Sequence, residues 1–338
     1  MEIAQLLLEH GADVTAQDER KRTPLHLASD SGRVEVSQLL IEHGTDVTAQ
    51  DEHKRTPLHR ALELRNVKLA QLLFEHGTDA TAQDQRKRTP LHLVSEWGSV
   101  EVAQLLLEHG ADTTAQDEQK CAPLHLASES GSVDVAQLLL KYSADATAQD
   151  ERQRTPLHWA SVLGSVELAR PLLEHGADAT AQDENKSTPL HWASEWGNVE
   201  VAKLLLEYGA DATAQDEYKM TPLYLVSESG SVEVAQLLLE HGANATTWDE
   251  HKITPLHWAS GSGSVEIARL LLEYGGDANA LDVDKRTPLH WASGKGMVGI
   301  AQLLLDHGAD PNAQSNTNQT PVQEAEEYEY SMQLSSQG

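Results

Sequence analysis

The dipeptide Thr-Pro begins at residues 23, 56, 89, 155, 188, 221, 254, 287 and 320, and "CAPLH" puts Ala122 in the one slot where Thr is missing, so every interval is 33 residues. A unit of that length holds two short helices and a loop. Neither helix buries its apolar stripe alone, so neighbouring units must stack. The unit reads D-E-x-K-x-T-P-L-H-x-A-S-x-x-G-S-V-E-V-A-x-L-L-L-E-H-G-A-D-x-T-A-Q. Nine complete copies run from residue 18 to residue 314. Residues 1–17 match only the second half of a copy, and 315–338 match the first half before decaying into an acidic, tyrosine-bearing tail.

Local chemistry sets the helices within each copy. In 183–215, Thr188 stands at an N-cap and Pro189 at the first helical position, where its missing N–H costs nothing. Gly197 is placed for a left-handed stop. Asn198 then caps "VEVAKLLLEYG", whose residues Val199, Ala202, Leu205 and Leu206 fall on one stripe. Gly209 ends that helix, and "ADATAQDEYK" is polar, turn-rich and too short for a third.

Composition narrows the function classes. A formal net charge of −28 argues against phosphate-backbone binding and against anionic membrane surfaces. No apolar run approaches membrane-spanning length. Cys121 is the single cysteine, so no intramolecular disulfide is possible and a reducing compartment is expected, cytoplasmic or nuclear. Residues 1–17 show no signal-peptide pattern.

"TPLH", the interhelical Gly, "LLLEHGAD" and the period together resemble the ankyrin repeat over about residues 1–325. The resemblance implies an all-α solenoid of helix-turn-helix units with projecting β-hairpin-like loops. It also implies a non-catalytic scaffold or adaptor that binds another protein in a concave groove. Similar arrays form the sensor end of multidomain NTPase receptors, so the alternative expectation is the partner-sensing region of a larger regulatory protein. Two departures are systematic. The family's tip Gly is replaced by Lys21, Lys54, Lys87, Lys120, Gln153, Lys186, Lys219, Lys252, Lys285 and Asn318, so looser or differently turned tips are expected. The family's frequent Asn after "GAD", a hydroxylation target in some members, appears only as Asn279 and Asn312.

The residues that suggest chemistry recur too regularly for a single site. By resemblance, His26, His59, His92, His125, His158, His191, His257 and His290 hydrogen-bond the Thr hydroxyl and neighbouring backbone, with Tyr224 in the remaining copy. One histidine per repeat gives a column, not a metal cage. A second set ends the second helix as "EHG" or "DHG", where a cation suits the helix dipole; Tyr142, Tyr208 and Tyr274 fill the same slot. Acidic pairs recur in every copy, as on a solvated face, and no hydrolase, P-loop or zinc motif occurs. Cys121 has no unique histidine partner. Neither catalysis nor a cofactor, metal or small-molecule substrate is expected.

The partner surface is expected at the slots that vary while the frame does not. The slot before the interhelical Gly reads Ser31, Leu64, Trp97, Ser130, Leu163, Trp196, so Ser-Leu-Trp occurs twice and gives two apolar anchors three repeats apart. The first three hairpin loops are net basic, with Arg20, Arg22, Arg55, Arg86 and Arg88. Tyr218 adds an aromatic tip, and Tyr142, Tyr208 and Tyr274, in the slot before the residue that ends the second helix, are expected to join the partner surface. The remainder is strongly acidic, which favours a basic or mixed-charge partner. Trp159, Trp192, Trp258 and Trp291 follow "TPLH", where other copies carry Leu, and read as core. Pro171 falls inside a second helix and marks a weak joint.

Overall fold

The structure is a computed structural model describing residues 2–335, with side chains as far as Glu329. Twenty helices occur among the described residues, in regular pairs, and no strand. The first helix of a pair spans six to eight residues, as in Pro57–Glu63 and Pro90–Trp97. The second spans nine, as in Val67–Glu75 and Val100–Glu108.

First helices that carry both the Thr and the histidine begin at a reciprocal cap, whereas in Pro222–Ser229 the Thr221 hydroxyl only accepts the Tyr224 N–H. In the first complete repeat the Thr23 N–H donates to His26 Nδ1 (3.2 Å), and the Thr23 hydroxyl donates to the same nitrogen (2.8 Å). Because Nδ1 accepts, the ring proton is on Nε2, which donates to the carbonyl oxygen of Arg55 in the next repeat (3.0 Å). The same link runs from His59 to Arg88, His92 to Cys121, His125 to Arg154, His191 to Met220, His257 to Arg286 and His290 to Gln319. His125 still accepts from the Ala122 N–H, although no hydroxyl is present there. His158 accepts from Thr155 in the same way. The "TPLH" histidine therefore caps one helix and ties one repeat to the next.

Second helices end on the other histidine set. His43 and His109 Nδ1 donate to the carbonyl oxygen four residues earlier, each at 2.8 Å, which satisfies an otherwise orphaned helix-end acceptor.

The loops are hairpin-like tight turns, without regular strands among the described residues. Each is organised by its leading Asp. Asp51 Oδ1 accepts the N–H of His53 (2.8 Å) and of Arg55 (2.9 Å), while the Asp51 N–H donates to the Arg55 carbonyl (3.0 Å). Within each unit one further backbone bond joins neighbouring loops, as from Glu52 N–H to the Arg20 carbonyl (2.9 Å) and from Glu217 N–H to the Asn185 carbonyl (2.9 Å). This clamp explains the tip residues. Lys21 to Lys285, Gln153 and Asn318 all hold φ between 56° and 63°, so the tips keep the left-handed turn and are not differently wound. The strain of about 1 kcal/mol per tip is met by the Asp bonds around it.

The core is a column of Leu from first helices (Leu58, Leu91, Leu124) and Val, Ala and Leu from second helices (Val102, Ala103, Leu106), all fully buried. In Val199–Glu207 the buried face is wider than the expected stripe. It adds Val201 and Leu204, and leaves Val199 half-buried. The N-terminal helix Glu2–Glu9 has no buried residue, and Ile3, Leu6 and Leu7 are exposed. At the other end Pro321–Ser335 forms a helix packed on Pro288–Ser293.

The chain divides into two compact units, the first comprising Met1–Trp159 and Arg170–Ala177, the second Ala160–Ala169 and Asp178–Gly338. The division falls within the second helix Val166–Glu174, one residue before Pro171.

Candidate partner-binding surface

In the first unit, the arginines expected to face a partner are largely engaged within the chain. Arg22 pairs with Asp18 (2.8 Å) and Asp30 (3.4 Å), Arg55 with Asp51 (3.0 Å) and Glu63 (3.6 Å), and Arg88 with Asp84 (3.3 Å). The reason is geometric: the turn brings the side chain four residues after the Asp back to Oδ2. Arg20 lies 3.8 Å from Glu52 and stays exposed. Arg86 is exposed beside a cavity of about 670 Å³ that also borders Glu96, Asp117 and Glu129. Arg60, which the sequence did not single out, sits at the centre of this charge network. It reaches Asp30 (3.0 Å), Glu63 (2.9 Å) and Asp51 (3.9 Å).

The apolar anchors fare differently. Leu64 is 53% exposed, whereas Trp97 is only half-buried to half-exposed beneath the Arg65 guanidinium, 5.9 Å from its ring. In the second unit Leu163 (47%) and Trp196 (62%) both stand in solvent. Tyr218 is exposed at its loop, and Tyr142, Tyr208 and Tyr274 are exposed at the ends of second helices.

Trp159, Trp192, Trp258 and Trp291 are half-buried rather than core. An indole at this slot needs an acceptor for its N–H. Trp291 Nε1 donates to Asp282 Oδ2 (3.1 Å), and Trp258 donates to the Tyr224 hydroxyl. Tyr224, where the histidine is missing, donates in turn to Asp249 Oδ2 (2.7 Å). Trp258 and Trp291 meet edge to face at 5.7 Å. In the first unit the Arg154 guanidinium lies 4.5 Å over Trp159.

Burial sets the protonation of the column. His26, His59, His92, His125 and His257 are held below the usual imidazole range by desolvation, which suits their neutral Nε2–H form. Burial, with Asp117 beside it, pushes the Cys121 thiol up to about 12, so it is a packed apolar group rather than a nucleophile. Asp216 and Glu195 are raised above their usual carboxylate ranges, chiefly by desolvation; Glu217 and Asp183 add to the effect on the first and Glu228 on the second.

Among the described residues no three His, Cys, Asp or Glu side chains converge to hold a metal ion, and no helix is long and apolar enough to cross a membrane. A search of the curated proteins returns no match. The family model for ankyrin repeats (three copies) matches in overlapping windows from 1–84 through 143–216 to 274–331. That match runs over nearly the whole chain and coincides with the paired helices and their Thr-His caps: the chain belongs to the ankyrin repeat family.

Proposed function

We propose that the chain is a protein-binding scaffold or adaptor without catalytic activity of its own, and that its partner carries a basic or mixed-charge surface. Ankyrin repeats are generally protein–protein interaction modules. The observation that carries the reading for this chain is the exposure of Leu163 and Trp196 at a slot where four other copies, at Ser31, Ser130, Ser229 and Ser262, hold serine. Large apolar side chains exposed at variable slots of an otherwise uniform frame mark a contact surface. The acidic balance of −28 adds long-range attraction for a basic partner. Residues 18–314 would form the binding array and 315–338 its C-terminal half-repeat cap and acidic tail.

The test is an affinity pull-down with the wild-type chain and with Trp196→Ala. A specific partner should be retained by the first and reduced about tenfold or more on the second. Equal retention by both would overturn the assignment of this surface.

A further inference from the structure

The leading Asp of each loop uses Oδ1 for its own turn, and in six loops Oδ2 takes a further donor. That donor is Arg22 at Asp18, Arg55 at Asp51, Arg88 at Asp84, Arg154 at Asp150, the Tyr224 hydroxyl at Asp249 and Trp291 Nε1 at Asp282. Asp216 differs. Its Oδ1 accepts the N–H groups of Tyr218 and Met220, each at 2.9 Å, but its Oδ2 has no donor among the described residues, although only 7% of the residue is exposed.

The repeat at 51–83 shows what such a carboxylate holds when the position is filled. There Asp51, Glu63 and Asp30 of the preceding repeat surround the guanidinium groups of Arg55 and Arg60. The corresponding residues around Asp216 are Glu228 and Glu195, while Met220 and Leu225 stand where the two arginines would be. The acids have been kept and both cations removed. Glu195 and Glu228 are exposed and Asp216 is buried.

We propose that Asp216, Glu195 and Glu228 form a pocket for the guanidinium of an arginine side chain presented by a partner protein. Among the described residues no three carboxylates are grouped as metal ligands, and the occupants of the equivalent place at 51–83 are forked guanidinium groups. Trp196 and Tyr218, which directly follow Glu195 and Glu217, are exposed, and aromatic rings of this kind are ones on which a guanidinium stacks. Desolvation already disfavours the empty, ionised Asp216, so an arriving cation relieves a standing cost. The set Asp117, Glu96 and Glu129 has the same spacing, with Cys121 and Leu126 in the cationic slots, but Arg86 and Arg88 border its cavity and weaken it as a cation site.

This inference rests on the protein-binding reading and is tested without a captured partner. The Tyr218 N–H bonds directly to Asp216, so the chain labelled with [15N]tyrosine reports on the pocket through one of seven tyrosine amides. The probe is an acetylated pentapeptide amide with a single central arginine in a glycine-serine context, compared with its citrulline and lysine counterparts. The Tyr218 signal should move with the arginine peptide, while Tyr142 and Tyr274 stay fixed. The citrulline peptide should need about ten times the concentration, with lysine intermediate. Met220→Arg, which supplies the cation in cis, should abolish the response, and Glu195→Gln/Glu228→Gln should weaken it even if the first variant folds poorly. Equal responses to arginine and citrulline, or an undiminished response in folded Met220→Arg, would overturn the pocket. If the pull-down returns no partner while Tyr218 responds as described, the scaffold reading falls and the pocket stands.

Discussion

The two compact units share one backbone frame and differ in what fills it. Four residues after the leading Asp, the first unit carries Arg22, Arg55, Arg88 and Arg154, each paired with that Asp, and Cys121 in the remaining loop; the second carries Ser187, Met220 and Ile253. Where arginine returns, at Arg286, it reaches Glu324 of the C-terminal helix (2.6 Å), and Trp291 takes Asp282 instead. The lesson is a division of labour within one carboxylate. Oδ1 and the backbone build the turn in both units, while Oδ2 accepts an arginine, a tyrosine, an indole or nothing. The frame therefore tolerates a change of electrostatic character from one unit to the next.

The largest expected effect falls at the boundary between the units. Pro171 brings no N–H to its helix and crowds the preceding turn, a cost of about 3 kcal/mol in a helix interior. In a repeat array that cost stays local. Denaturant unfolding of the wild-type chain should show two partly resolved transitions. Pro171→Gln should raise the midpoint of at least one and merge them. An unchanged profile would mean that the boundary has another origin.

Next in size is the charge swap. Arg55→Met imitates the second unit and leaves Asp51, whose side chain is almost fully buried, without its closest cation. A loss of about 2 kcal/mol is expected by chemical denaturation. The reverse change, Met220→Arg, should gain about 1 kcal/mol. If both are neutral, the pairs contribute nothing beyond solvent screening and the contrast between units is cosmetic.

Acid should separate the units without any mutation. His26, His59, His92 and His125 of the first unit are neutral when folded, with values below the unfolded 6.5. Their contribution is complete above pH 6.5 and is lost as pH falls below it through the lowered folded values. In the second unit His257 is lowered in the same way, while Tyr224 replaces one such histidine. Asp216 and Glu195 there are raised, so the folded state takes up protons before the unfolded one and gains stability as pH falls toward their unfolded values of 3.8 and 4.5. Glu129 acts the same way in the first unit, against the four histidines. At still lower pH Asp51 acts against the first unit: burial raises it, but its Arg55 bonds outweigh burial and hold it below 3.8. Hydrogen exchange at pH 7 and pH 5 should show the larger loss of protection in the first unit. An equal loss in both would contradict the assignment.

Much of this was legible because one unit is written nine times. Thr-Pro, the interhelical Gly and the apolar stripe each act within a few residues, so the sequence alone places both helices of every pair. What escaped depends on atoms brought together by the turn. The tip lysines looked strained in isolation, and only the double acceptance at Asp Oδ1 shows why the left-handed turn persists. Arg22, Arg55 and Arg88 read as free cations until the loop folds them back onto their own Asp. The link from His Nε2 to a carbonyl 29 residues on joins neighbouring repeats and has no local signature. Four tryptophans read as core by their leucine counterparts, but an indole with an N–H to satisfy stays at the edge.

The smallest effect separates two residues that occupy one slot. Trp97 and Trp196 both precede the interhelical Gly, and the sequence treats them alike. Trp97 is half-buried under Arg65, whose guanidinium lies 5.9 Å from its ring, while Trp196 is 62% exposed. Removing Trp97 forfeits packing and the cation–π contact, so Trp97→Ala should cost about 0.5–1 kcal/mol of stability. Trp196→Ala has little to lose in the free chain and should stay within about 0.5 kcal/mol of wild type. Binding should reverse the order, because an exposed ring is available to be covered and a half-buried one is already partly spent. A partner retained by wild type should therefore be lost mainly on Trp196→Ala, and a partner lost only on Trp97→Ala would move the contact surface to the first unit.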